Sequence, residues 1–419
     1  MAPLGQSALV ASAWRAFRRT DRRFGRFRAA FRSRALVHPG ESGLRCRAPC
    51  HSGRMPDVYI QDWVRTPRAK RGLSHLTPID LVNALQEALV SRGLRAEGVE
   101  DVVLGVASQI GEQGADLART ANLRAGWQAP GVTINRFCAS GIDAVATTAA
   151  RIRAGDMDLA VAGGVESVSH VPIFSDNGAL WREPYSVHMG VAADLNATLE
   201  GFTREELDAY AVETHTKAAA AWAEGRFDAS VVPMGLERDE LIREVTTQGL
   251  AKLPPVFTDV PAVFTERFGA IEHLHTVGTS PQMADGAALM VLGTEPGRAR
   301  IVASATATCD PVVMLTAGQT AMERAIARAG LTPDDIDVFE FAEAFSALCL
   351  RFRRDLGAGP DRMNPNGGTM AMGHAFGATG TIMVGQCLDE LERTGGRYGV
   401  AGVSGAAGMG VGVVIERVA

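Results

Sequence analysis

The sequence predicts an α/β protein built from two copies of one unit, with a polar insert between them. Three observations predict it. Apolar runs of strand length alternate with helical patterns from Met55 onward. The pentapeptide "FCASG", Phe137 to Gly141, returns as "FGATG", Phe376 to Gly380, 239 residues later. A Val-Ala-Gly strand then begins 23 residues after Cys138 and 23 residues after Gly377, at Val161 and at Val400. A fixed offset marks a repeated supersecondary unit, and the alternation places that unit in the α/β class.

The first 54 residues stand apart from this pattern. They hold twelve Arg, no Lys and only Asp21 and Glu41, a net +10 that leaves −15 for the remainder. Phe17, Phe24, Phe27 and Phe31 fall on one face of a helix, and Arg15, Arg18, Arg19, Arg22, Arg23 and Arg26 on the other. That is the pattern of a targeting segment. The competing reading is translation upstream of a start at Met55, where "MPDVYIQDWVRTP" begins a first strand. Residues 1–54 are read as a basic extension, disordered or upstream of the true start. An acidic remainder argues against nucleic acid as a partner. Cys46, Cys50 and His51 lack a second ligand pair, so no metal site is expected.

The body of the chain follows in order. "PIDLVNALQEALVSRG", Pro78 to Gly93, carries Pro in its first turn and Gly at its end, as a helix does. "VEDVVLGVASQ" reads as a buried strand. "GQTAMERAIARAGLTPDDIDVFEFAEAF" repeats the order: Leu331 precedes Ile336 by the same five residues that separate Leu94 from Val99. Polar material from Val171 to about Gln282, including the helical "REELDAYAVETHTKAAAAWAEG", forms an inserted loop domain, a natural place for ligand contacts. The expected divisions are 55–170 with 283–297 for the first half, 171–282 for the loop domain and 298–419 for the second half. Six scattered cysteines make no disulfide framework, and no apolar run is long enough to span a membrane.

Cys138 opens the helix that runs to about Arg153. A helix N-terminus offers unpaired N–H groups and partial positive charge, so the thiol is expected below its usual ~8.5. A small buried hydrophobe is the ordinary alternative. His374, in "NPNGGTMAMGHAFGATG", lies three residues ahead of the position equivalent to Cys138. Two copies packed face to face would bring thiol, imidazole and backbone N–H groups together, as an activated nucleophile requires.

These motifs resemble those of the thiolases, coenzyme-A-dependent acyltransferases, from about Met55 to Ala419. "NRFCASG" resembles the nucleophile motif, "GGVESVSHVP" the segment after the third strand, and "DGAALMVLG" the return strand. "VHMGVAAD" resembles the loop-domain motif that lines the pantetheine channel, and the glycine-rich run around His374 resembles the motif of the catalytic His. The resemblance implies duplicated α/β/α/β/α halves related by a pseudo-twofold, with an inserted loop domain that binds the nucleotide. It implies a homodimer or homotetramer that uses coenzyme A as co-substrate, with no other cofactor and no membrane partner. Cys138 would take the acyl group of a 3-oxoacyl-CoA, or run the reverse condensation. His374 would activate it, and the N–H groups of Cys138 and Ala406 would hold the oxyanion. His188, Met189, Ser280 and Phe345 would contact the substrate.

Three positions depart from the family pattern. Ala342 stands where Asn or His precedes Glu-Ala-Phe, Ser404 where a second Cys shuttles protons, and Pro281 where a Ser contacts pantetheine. Ser404 is therefore assigned the second acid/base role, with Cys349 and Cys387 as possible substitutes. These departures carry an alternative expectation, an acyl-CoA binder or acyl-transfer protein without efficient carbon–carbon chemistry. Arg204 and Arg267 are candidate phosphate contacts, His273 and His275 read as surface or packing residues, and Glu343 as a holder of nearby backbone. The expected compartment is the cytoplasm, or the mitochondrial matrix if residues 1–54 are a targeting segment.

Overall fold

The computed structural model describes residues 55–418 apart from 174, 177, 184, 185 and 260–264. The basic extension, with Cys46, Cys50 and His51, lies outside the described residues. The strands are β1 (Tyr59–Arg65), β2 (Asp101–Gly105), β3 (Val132–Ile134), β4 (Leu159–Glu166), β5 (Gly286–Gly293), β6 (Ala299–Thr308), β7 (Val338–Phe341), β8 (Tyr398–Gly405) and β9 (Met409–Arg417). They hydrogen-bond in the order β3-β2-β4-β5-β1-β6-β9-β8-β7. Without β3 the order is palindromic, with β7, β8, β9 and β6 standing for β2, β4, β5 and β1. Pairing follows the same symmetry: β2 runs parallel to β4 as β7 does to β8, and β4 antiparallel to β5 as β8 does to β9. The two groups of strands join at the pairs Tyr59–Arg300 and Ile60–Ala299.

Helices complete the layers. Helix α1 (Pro78–Ser91) starts from a capping box in which Thr77 and Asp80 satisfy each other's backbone N–H, with Pro at the first helical position. Its Leu81, Val82, Leu85 and Leu89 face β1, β4 and β5, beside α2 (Leu117–Ala125). Two long helices, α3 (Ser140–Arg153) and α11 (Phe376–Thr394), lie between the two groups of strands. Helix α8 (Ala317–Arg328) covers β6, β8 and β9 on the far side. Each half thus supplies an outer helix layer, a strand layer and one helix of the shared centre, which gives the five-layered α/β/α/β/α architecture.

Small residues set the central contact. A Cβ on Gly141 would stand 2.8 Å from Thr381 Oγ1, and one on Gly380 would stand 2.5 Å from Ile142 N. These two contacts exchange under the 239-residue offset, so the pseudo-twofold runs between the two helix starts. Around them Ile142, Val145, Ile152, Val384 and Leu388 are at most 1% exposed, each worth roughly 1.5–3 kcal/mol relative to exposure.

Between β4 and β5 come α4 (Met189–Glu200), α5 (Arg204–Ala223), α6 (Thr247–Leu250) and α7 (Thr265–Phe268). The insert is pinned to β1 by a buried ion cluster. Asp239 takes Arg65 Nη1 at 2.8 Å and Arg68 Nη2 at 3.1 Å, and the two guanidinium groups hold its carboxyl far below the usual range against the cost of burial. After β7 the chain forms α9 (Ser346–Leu356) and α10 (Thr369–Met372), then reaches α11.

Candidate active site

Cys138 sits two residues ahead of α3, on a tight elbow. Phe137 adopts a left-handed φ of 50°, a conformation that costs a non-glycine residue about 1–3 kcal/mol. Ser140 holds the elbow: its Oγ donates to Phe137 O at 2.6 Å and accepts Arg136 N–H at 2.8 Å. Phe376, the equivalent of Phe137 in the second half, also has a positive φ, 28°. The repeat therefore duplicates a backbone device as well as a sequence.

His374 precedes α11 and is 8% exposed. Its backbone N–H donates to Gln282 O at 2.7 Å and its carbonyl accepts Ala284 N–H at 3.0 Å. Its ring packs on Phe376 at 4.4 Å between centroids, and Nδ1 lies 2.9 Å from Thr379 Oγ1. Phe376 in turn lines the cavity at Cys138, so one aromatic ring connects the imidazole to the thiol chamber.

Electrostatics at the thiol run opposite to the expectation from the helix end. Burial pushes Cys138 up to about 12, and the Glu166 carboxylate adds to the rise; backbone hydrogen bonding opposes both and loses. Burial, with Arg68 nearby, pushes His374 down to about 3. Both shifts favour a neutral thiol and a neutral imidazole at rest. The helix N-terminus alone does not make a standing thiolate here, because Cys138 is 6% exposed and desolvation outweighs the dipole.

Two cavities meet at the site. A small chamber is lined by Cys138, Ala107, Ser108, Phe376, Trp181 and Ala406. A larger apolar cavity of about 330 Å³ is lined by Leu180, Val187, His188, Met189, Met314 and Ala407. Trp181, Met189 and Ala406 border both. The structure thus brings Cys138, His188, Met189 and Ala406 to two adjoining cavities. His188 also caps α4, its Nδ1 accepting Gly190 N–H at 3.2 Å, and burial lowers its pKa.

The family comparisons bear on this arrangement. The family model described as thiolase, N-terminal domain, matches residues 58–296, and thiolase, C-terminal domain, matches 296–417. The chain belongs to the thiolase family. A 3-ketoacyl-CoA thiolase of Aliivibrio salmonicida is 35% identical over 399 residues, covering 87% of this chain and all of that protein. One from Pseudoalteromonas translucida is 36% identical over 398 residues with the same coverage. The crystal structure of the Bacillus anthracis acetyl-CoA acetyltransferase superposes with a TM-score of 0.78 at 30% identity, covering 88% of this chain and all of that one.

Several positions in this thiolase differ from the sequence expectations. Ser404 is hydrogen-bonded on both sides within the chain. Its Oγ donates to Leu315 O at 2.7 Å and accepts Gly318 N–H at 2.9 Å, so its one proton is committed to tying β8 to the start of α8. Cys349 and Cys387 do not replace it. Both are fully buried, Cys349 in a separate apolar cluster and Cys387 deep in the cluster that also holds Cys138, and burial holds both thiols well above their usual range. Ala342 is buried in the same apolar cluster as Cys138 and Phe376, where its methyl group supplies packing and no donor.

Ser280 and Phe345 line neither of the two cavities. Ser280 Oγ donates to Thr276 O, and Phe345 stands edge-on to Phe257, which packs on His188. Phe345 therefore acts one ring behind the cavity wall. Arg204 is held by Asp208 and by the carbonyls of Leu250 and Leu253, and Arg267 by Asp310, so both are spoken for within the chain. His273 and His275 both bond Asp194, which also takes the N–H groups of Leu274 and His275. Glu343 accepts Tyr210, Thr214, Asn364 and the N–H of Met370. It fastens the loop domain to the turn before His374.

Sequence reasoning missed Thr379, Trp181 and Glu166. The signal for Glu166 was present as the lone acid at the end of the apolar strand "LAVAGGVE". Trp181 and Thr379 carry no comparable signal, since nothing local says what a Trp or Thr will face. No helix among the described residues is long and apolar enough to cross a membrane.

Proposed function

We propose that this thiolase is an acyl-CoA C-acyltransferase that cleaves a 3-oxoacyl-CoA with coenzyme A, or runs the reverse condensation, through an acyl-enzyme on Cys138. The single observation that carries the reading is the shared space at the two helix starts, with Cys138 on its elbow, Phe376 beside it and His374 packed on Phe376. With both groups neutral at rest, His374 acts as general base. Its Nε2 takes the thiol proton as sulfur attacks the keto carbon, so no free thiolate has to persist in the buried chamber. The oxyanion is received by backbone N–H groups, for which Cys138 and Ala406 are placed at the chamber. One such donor is worth ~2.7–4 kcal/mol.

The carbon–carbon bond then breaks and its electron pair stays on the acetyl-CoA fragment. The imidazolium formed in the first step is the proton donor at hand, and we assign to it the return of that proton to carbon. This single shuttle removes the need for a second thiol at position 404. Coenzyme A, deprotonated by the again-neutral His374, takes the acyl group as the bond to Cys138 sulfur breaks, and that sulfur recovers the proton from the imidazolium. The apolar cavity past Met189 suits pantetheine or an acyl chain, and a homo-oligomer in the cytoplasm is the state we propose for an enzyme with these bacterial relatives. Steady-state thiolysis tests the reading. Wild type should consume 3-oxoacyl-CoA with release of acetyl-CoA, and Cys138→Ser and His374→Gln should each lose about a hundredfold or more. Unchanged turnover in either variant would refute it.

A further inference from the structure

Glu166 ends β4 and is fully buried. Four N–H groups converge on its carboxylate. Oε2 accepts Ala107 N–H at 2.9 Å and Gly377 N–H at 2.9 Å, while Oε1 accepts Ser108 N–H at 3.2 Å and Gln113 Nε2 at 2.7 Å. Ala107 and Ser108 line the thiol chamber. Gly377 is the second residue of α11, three residues after His374. The residue that flanks α11, Ala375, provides no side-chain cap, so a carboxylate from the other half satisfies one of the orphan donors of that helix.

We propose that Glu166 is a positioning residue of this active site: it caps the His374 helix across the pseudo-twofold and keeps a fixed negative charge beside Cys138. The proposal rests on the assignment of Cys138 and His374 above. The geometry specifies the anion. Two oxygens receive four N–H donors, which occupies the acceptor directions of a carboxylate and leaves no place for an acidic proton. Burial raises the carboxyl pKa, and the four donors offset only part of that rise. The anion in turn disfavours a thiolate, so the thiol keeps its proton until substrate and His374 take it together. The close approach is strict at this point: a Cβ on Gly377 would stand 2.9 Å from Glu166 Oε2 and 2.7 Å from Gly105 O.

The test uses the full-length protein and two readouts. Glu166→Gln removes the charge and keeps the shape. Iodoacetamide alkylation of Cys138 at a fixed pH of about 8.5, located by peptide mapping, should run about tenfold faster, as expected if the thiol falls by about one unit. Thiolysis should show kcat down about tenfold or more with KM within about twofold, because only the reacting geometry is disturbed. Glu166→Asp keeps the charge with a shorter reach, so alkylation should stay near wild type while kcat falls. A role in fold stability alone would leave the alkylation rate unmoved. If Glu166→Gln does not fold, Gln113→Ala, which removes one of the four donors and so weakens the anion, should accelerate alkylation to a smaller degree. Alkylation of folded Glu166→Gln at the wild-type rate, or of Gln113→Ala where it stands in for it, overturns the proposal. If the wild-type label falls on a residue other than Cys138, the nucleophile assignment itself is overturned, a result distinct from the first.

Discussion

Replacing Thr379 by Val isolates the tautomer of the His374 imidazole, which we propose is the general base. For His374 Nε2 to accept the thiol proton, Nδ1 must carry hydrogen and Thr379 Oγ1, 2.9 Å away, must accept it. The ring is 8% exposed and Thr379 is 1% exposed, so water is a poor substitute. Valine preserves the shape and removes the acceptor. A buried donor left unpaired costs about 1–3 kcal/mol, and a hydrogen bond to the charged imidazolium is worth about 1.5–3. Each 1.36 kcal/mol is a decade in rate, so acylation of Cys138 should slow by about 10- to 100-fold. The assay is single-turnover acylation followed by intact-protein mass, with the melting temperature as a check on folding. Thr379→Ser should recover most of the loss. A Thr379→Val enzyme that acylates within about twofold of wild type would refute the tautomer argument.

Other consequences can be checked separately. Alkylation of Cys138 in the free enzyme should rise steadily from pH 7 to 10 without a plateau, because the thiol lies near 12; a plateau beginning near pH 7 would show a standing thiolate. Ser404→Ala should lower stability by about 1–3 kcal/mol by orphaning Gly318 N–H, while leaving the acylation rate unchanged; a selective loss of carbon–carbon cleavage would restore Ser404 as an acid/base. Asp239→Asn should cost about 3–5 kcal/mol in denaturant unfolding, since two buried guanidinium groups lose their anion, and a change under 1 would contradict that. Buried His374 and His215 are pushed down to about 3 and about 4. Their contribution to stability is full above the unfolded value of ~6.5 and is lost as pH falls toward those folded values; a stability that stays flat from pH 6.5 to 4 would contradict it.

The duplicated architecture was legible because it is written twice. The 239-residue offset read from "FCASG" and "FGATG" is the offset between both ends of β4 and β8, and Gly93 and Gly330, paired in the repeat, both take positive φ. Helix boundaries were legible where caps are local, as at Thr77 and Pro78. What failed was electrostatics and side-chain direction. A helix N-terminus is visible in sequence, but the depth of Cys138 depends on strands far away in the chain, and depth decided its protonation. The partners of the Ser404 hydroxyl, Leu315 and Gly318, could not be read locally, because they lie nearly ninety residues away in sequence. Glu166 went unread for the same reason: three of its four donors come from residues 107, 108 and 113, and the fourth from the other half.

The central claim is that Cys138 carries the acyl group, and one measurement addresses it directly. The enzyme is mixed with a 3-oxoacyl-CoA in the absence of free coenzyme A, quenched, and weighed intact, with the modified residue located by peptide mapping. The account predicts one acyl group per chain on Cys138, one equivalent of acetyl-CoA released with it, and loss of the adduct when coenzyme A is added. An unmodified protein, or an adduct on Cys309, Cys349 or Cys387 instead, would contradict it.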